Sequence, residues 1–167
     1  MTSVHIGLVE SIPASCTPGL ALLPHFISAL DSLASSPPPE LYDLIAPTTY
    51  FSLNGTRIPT PFLEKAEKGM FPQRAARLSK FFHTLEKAWD VEEGEARRTV
   101  FSMSESTTVF KADESREEVK VKELSAIVLE RKVDAKFGWV VVEMMSWFDP
   151  APVANKKKSL ETAEVKE

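Results

Sequence analysis

Apolar residues recur at helical spacing between Leu20 and Leu33, where Leu22, Leu23, Phe26, Ile27, Leu30 and Leu33 share one face. That pattern predicts a first amphipathic helix. Ser35-Ser36 and the run Pro37-Pro38-Pro39 end it, because proline donates no backbone hydrogen bond and disfavours helix in the residue before it. Glu40 to Ile45 predicts a short second helix closed by Pro47. Thr48 to Leu53 is rich in strand formers, and Asn54-Gly55 predicts a tight turn into a brief return strand at Arg57-Ile58. Thr60-Pro61 has the form of an N-cap followed by proline at the first helical position, so a helix is expected over 61–69, with another over 73–81 after Pro72.

The period then changes. Phe82 to Val91, Arg97 to Phe110, Val119 to Arg131 and Phe137 to Phe148 are β-type runs joined by short polar segments. Short connections predict antiparallel neighbours, since parallel strands require long crossovers. In the last run Val140, Val142, Met144, Ser146 and Phe148 fall on one face, and Val141, Glu143, Met145 and Trp147 on the other. Both faces are largely apolar, so both are expected to be covered: one by the core or a pocket under the helices, the other by a second subunit. The predicted fold is α+β, with a helical first half packed into the mouth of a curved antiparallel sheet. Its predicted limits are 19–150, preceded by an extended arm (1–18) and followed by a flexible polar tail (151–167).

Composition narrows the partners more than the fold. A chain of 167 residues fits one domain with a sizeable core. A net charge of −4, with no basic stripe among aromatics, argues against nucleic acid. Cys16 is the only cysteine, which excludes an internal disulfide and a cysteine metal cluster and suits a reducing compartment. No apolar stretch approaches the ~20 residues that span a bilayer, and the N-terminus lacks a basic region before an apolar run. The expectation is a cytoplasmic protein with no membrane contact. No His/Asp/Glu cluster has metal-ligand spacing, the glycines are scattered, and no Gly-x-Ser-x-Gly elbow occurs, so neither a metal nor a cofactor is expected.

The order of elements, helices with a small hairpin among them and then long antiparallel strands, resembles the nuclear transport factor 2-like cone over roughly residues 20–150. Leu44-Ile45-Ala46-Pro47-Thr48, Asn54-Gly55 and Val142 to Pro150 are the local pieces that carry the likeness. The superfamily includes SnoaL-like polyketide cyclases, ketosteroid isomerases, scytalone dehydratases and non-catalytic dimeric modules. The resemblance implies a pocket in the cone, often apolar, and frequently a homodimer through the outer sheet face, here with Met145 and Trp147. It implies no single reaction. Around Ile45-Ala46-Pro47-Thr48 the chain is similar to scytalone dehydratase, but the positions matching that enzyme's pocket tyrosines and aspartate are Leu33, Ala34 and Leu53. The isomerase base likewise corresponds to Phe51 or Ser52.

The candidate chemistry is sparse. Of the histidines His5, His25 and His83, only His83 opens a long strand, where the resemblance places a pocket acid-base histidine; a neutral imidazole near pH 7 suits that role. The alternative is a hydrogen-bonded histidine at a strand edge. Glu105 shares a face with Phe101 and Met103 and is a second candidate acid or base, unless it reaches solvent or a basic partner. Tyr50 is a third polar candidate. Phe26, Leu30, Ser52, Trp89, Met144, Ser146 and Phe148 are the expected ligand-binding wall, suited to an apolar small molecule. The functional expectation is a cyclase, isomerase or dehydratase-like enzyme of secondary metabolism working without a cofactor. The alternative is a dimeric interaction module without catalysis.

Overall fold

The computed structural model describes residues 1–164. One seven-stranded sheet runs in the order β1-β4-β5-β6-β7-β2-β3. Its strands are β1 (Thr2–Ile6), β2 (Ile45–Leu53), β3 (Thr56–Arg57), β4 (Leu78–Gly94), β5 (Arg97–Phe110), β6 (Val119–Arg131) and β7 (Trp139–Phe148). The helices are α1 (Pro18–Asp31), α2 (Pro39–Leu44), α3 (Phe62–Lys65), α4 (Phe71–Arg77) and α5 (Ala151–Glu164), with a π-helical turn over Ala66–Met70. All pairings are antiparallel except β2 with β7, which are parallel and separated by about half of the chain. The fold is α+β, with helices on a long, curved, mostly antiparallel sheet, as the hydrophobic pattern predicts.

The core forms where the apolar stripe of α1 meets the inner sheet face. Leu22, Leu41, Leu44, Phe71, Leu85, Val100, Leu129 and Val141 are fully buried there. Gly19 lets α1 approach this closely: a Cβ at that position would lie 2.5 Å from Val100 Cγ2 and 2.6 Å from Asp90 Oδ2. The backbone N–H of Gly19 instead donates to Asp90 Oδ2 at 3.0 Å, and Arg98 Nε donates to Asp90 Oδ1 at 2.9 Å. A buried carboxylate therefore ties the start of α1 to the sheet. It is also favourably placed at the positive end of the helix dipole.

Both chain ends carry regular structure. Residues 2–6 of the predicted extended arm form a strand paired with β4, from Thr2 opposite Val91 to Ile6 opposite Lys87. In the predicted polar tail, residues 151–164 are helical; residues 165–167 lie outside the described residues. The helix α5 has no strong apolar stripe to reveal it. Asp149 Oδ1 accepts the Ala151 N–H at 2.9 Å, and Lys156 reaches Asp113 and Glu117 in the β5–β6 loop, each at 2.8 Å. These ion pairs tie it to that loop, alongside the half-buried Val153 and Leu160. Among the described residues, no helix is long and apolar enough to cross a membrane.

Pairing shifts in β4 between Leu78 and Lys80, Leu85 and Lys87, and Glu92 and Gly94 mark bulges. Each bulge bends its strand, and a single extra residue exchanges the two faces. The sheet curves around the volume beneath α4 and α5, and there the site lies.

Candidate functional site

A cavity of about 540 Å³ opens between the inner sheet face, α4 and α5. Its walls are mostly apolar and include Leu30, Phe51, Phe81, Met144 and Phe148. That size and character suit a small-molecule site. Polar groups converge on one wall. Asp31, the last residue of α1, places Oδ1 2.5 Å from Nδ1 of His83, and its Oδ2 accepts the His83 backbone N–H at 2.8 Å. Nε2, the other ring nitrogen, lies 3.7 Å from Glu123 Oε2. Ser125 Oγ donates to Glu123 Oε1 at 2.6 Å and is 3.0 Å from Ser146 Oγ.

Strand register explains how these groups meet. His83 is opposite Ser106 on β5, and Glu123 is opposite Ser104 on the same strand. Only these small serines stand between them, so the two longer side chains meet above β5. His83 keeps 13% side-chain exposure and Glu123 15%, enough to be reached from the cavity yet largely out of bulk water.

Burial alone would lower the His83 pKa. The hydrogen bond to Asp31 outweighs it, and the attraction of both carboxylates, with Glu123 Oε2 3.7 Å from Nε2, adds to it, raising the pKa to about 9. The ring is therefore an imidazolium at neutral pH, not the neutral base expected from its sequence position. Burial pushes Glu123 up, but the nearby His83 ring and the hydrogen bond from Ser125 prevail and hold it below the ordinary glutamate range. Arg74, at the cavity edge, is lowered by burial to about 10 and remains charged at neutral pH.

Leu30, His83, Met144, Ser146 and Phe148 line the cavity; the other candidates do not. Ser104 and Ser106 point inward, which turns Glu105 to the outer face, where Lys120 and Lys122 approach at 3.2 and 3.5 Å. Phe51 and Leu53 of β2 face the cavity, so Tyr50 and Ser52 project away from it; the Arg57 guanidinium covers the Tyr50 ring at 3.8 Å. Trp89 shares parity with His83, but the bulge between Leu85 and Lys87 exchanges the faces. Ala88 and Asp90 are buried, while Trp89 lies against Lys87. Phe26 is spent in the core under α1.

Sequence reasoning missed Asp31, Glu123 and Arg74. Two of them left a signal. Asp31 closes a helix at its negative end, where a carboxylate is disfavoured unless a cation is near. Glu123 alternates with Val121, Ser125 and Ile127, placing a carboxylate on a mainly inward face. Arg74 is only one of two arginines on a short helix. Among the described residues, no group of three or more His, Cys, Asp or Glu side chains is arranged to hold a metal ion.

No protein-family model and no curated protein matches the sequence. Solved structures do match in fold. The chain is similar to a nuclear transport factor 2 (NTF2-like) superfamily protein from Salmonella enterica, with a TM-score of 0.58 and 12% identity over 74% of this chain and 83% of that one. It is similar to hexachlorocyclohexane dehydrochlorinase LinA-type3 from Novosphingobium barchaimii, with a TM-score of 0.57 and 11% identity over 77% and 82%. A chain of the C. albicans Mtr2–Mex67 M domain complex matches at 0.55 and 14% over 79% and 94%. The fold is nuclear transport factor 2-like. Proteins of this fold include a small-molecule enzyme and a component of a protein complex.

Proposed function

We propose that the cavity binds an apolar small molecule and that His83 and Glu123 move a proton within it, in an isomerase, cyclase or dehydratase type of reaction. The observation that carries this reading is the His83 ring, fixed by Asp31 on Nδ1 and presenting Nε2 beside Glu123 at the cavity wall. Asp31 is a positioning residue: it holds the ring orientation and its positive charge. Glu123 takes a proton from a carbon next to a carbonyl, and the C–H electrons become the carbon–carbon double bond of an enol. The Nε2–H of His83 gives its proton to the carbonyl oxygen. Reprotonation at a different carbon, with the enol proton returned to His83, completes an isomerisation. Alternatively, the enol proton returns to His83 as a neighbouring hydroxyl departs, and Glu123 passes the proton it took to that leaving oxygen, releasing water and completing a dehydration. Glu123 is a weak base, so the step depends on simultaneous polarisation of the carbonyl by the imidazolium.

Proton exchange of 2-tetralone, an enolisable two-ring ketone, tests this in deuterated water by NMR. The wild-type protein is expected to accelerate exchange at the carbon next to the carbonyl. His83→Ala and Glu123→Gln are each expected to lose about 10²-fold or more of that acceleration. Exchange at the buffer rate with the wild-type protein, or unchanged exchange with both variants, contradicts the assignment.

An interaction surface is a second reading, supported by one feature of the outer sheet face. Met103, Leu124 and Trp147 stand in register across β5, β6 and β7 and are 43%, 42% and 37% exposed, with Phe101 beside them at 37%. Such a contiguous apolar row fits a second copy of the chain. It is compatible with an active cavity on the opposite face.

A further inference from the structure

The cavity is apolar on most of its walls but not neutral at its entrance. Among the described residues that line it, Arg74, Arg77, His83 and Lys157 are basic and Glu123 alone is acidic. Asp31, behind His83, offsets the imidazolium. Glu123 and Arg74 then balance, leaving Arg77 and Lys157 as excess positive charge where α4 meets α5. Lys157 is partly offset by Glu161 at 3.7 Å on its exposed side.

Arg74 is the most specific of these groups. Its guanidinium is stacked over the Phe81 ring at 3.9 Å, and Nη1 donates to the carbonyl of Leu30 at 2.8 Å. These contacts fix the plane of the group. Among the described residues no carboxylate oxygen lies within 4.0 Å of it, and the Leu30 carbonyl is the only hydrogen-bond acceptor recorded for it. A guanidinium carries five N–H donors in a planar fork that matches a carboxylate. A largely buried arginine held rigid by one carbonyl and one ring, with donors left over and a cavity beside it, is a prepared receptor for an anionic oxygen. Arg77 and Lys157 at the mouth would attract the same charge during approach.

We infer that the ligand of this cavity is an organic anion: a flat, apolar body buried against Phe51, Met144 and Phe148, with a carboxylate-type group received by Arg74. This inference rests on the cavity being the binding site, as proposed above, and adds the charge of what enters it. In that pose the head group is held at the α4 side while the apolar body reaches the His83–Glu123 wall. Arg74 is thus a specificity-determining residue, and its interaction does not require that chemistry follow.

Calorimetric titration with 2-naphthoate and with 2-naphthamide separates the possibilities, because the probes share one ring system and differ in charge. The wild-type protein is expected to bind the anion about tenfold tighter or more, with the difference shrinking as salt is raised. Arg74→Gln is expected to erase the preference, and Arg74→Lys to retain part of it. A thermal melt of each variant reports whether the loss of the Leu30 and Phe81 contacts has disturbed the fold. The comparison of the two probes on the wild-type protein needs no variant. Equal affinity for acid and amide overturns the inference while leaving the cavity reading intact. An undiminished preference in folded Arg74→Gln also overturns it. Failure of both probes to bind sinks the cavity reading, and the inference with it.

Discussion

His83 is held between two carboxylates, and its charge is therefore coupled to the stability of the fold. An unfolded histidine releases its proton near pH 6.5, whereas the folded ring holds it to about 9. Stabilisation from this group is fully present below pH 6.5 and is lost as pH rises through the folded value, because between the two values folding takes up a proton that grows scarcer with rising pH. Its size is on the order of a few kcal/mol, reduced by the residual solvent contact of the ring. Thermal melting across pH 6–10 is expected to show declining stability. Asp31→Asn, which removes the nearer negative charge, is expected to flatten that decline. A wild-type protein whose stability is constant over the interval would remove the coupling. His83 itself was legible in the sequence as a histidine opening a long strand. Its charged state was not, because Asp31 lies 52 positions earlier and Glu123 lies 40 positions later, and neither is a local neighbour.

At the scale of elements, apolar periodicity located most helices and strands to within a few residues, but the helix expected over 73–81 stops at Arg77, where β4 begins at Leu78. It also missed the strand β1 and the helix α5. The helix α5 packs through Lys156 onto Asp113 and Glu117, so its sequence reads as a solvated tail. Hydrogen bonds from Lys156 and Ser115 hold Asp113 down at about 2. The Asp113 contribution is therefore present above the ordinary carboxylate range and is lost only as pH falls through about 2. Lys156→Ala is expected to accelerate amide exchange across α5 while leaving the central strands protected. Unchanged exchange in residues 151–164 would show that other contacts hold the helix. A second element-scale test concerns the approach of α1. Gly19→Ala forces a methyl into Val100 and Asp90, and is expected to destabilise the fold by about 1–3 kcal/mol in chemical denaturation. The bulges in β4 had no reliable signal in the pattern of apolar residues. One of them removes Trp89 from the cavity although it shares parity with His83.

For the whole molecule, the two faces of one sheet differ in character. The inner face supplies the cavity, and the outer face carries the exposed row Met103, Leu124 and Trp147. Alternation along β7 was enough to assign Met144, Ser146 and Phe148 to one side and Met145 and Trp147 to the other, but Val141, expected beside Trp147, lies in the core with Met144 because the register with β6 shifts between Val128 and Leu129. If the outer row joins two copies, Trp147→Glu buries a charge at the contact and is expected to give monomers in light scattering at concentrations where the wild-type protein is dimeric. A wild-type monomer at high concentration would contradict that role and leave the cavity unaffected. The central claim concerns the inner face: a charged His83 presents its Nε2 to a molecule bound in the cavity. An NMR pH titration of the His83 ring, with and without saturating 2-tetralone, tests it directly. The account predicts a transition near pH 9 in the free protein and displaced ring resonances with the ketone bound. A transition near 6.5, or ring resonances indifferent to the ketone, would contradict it.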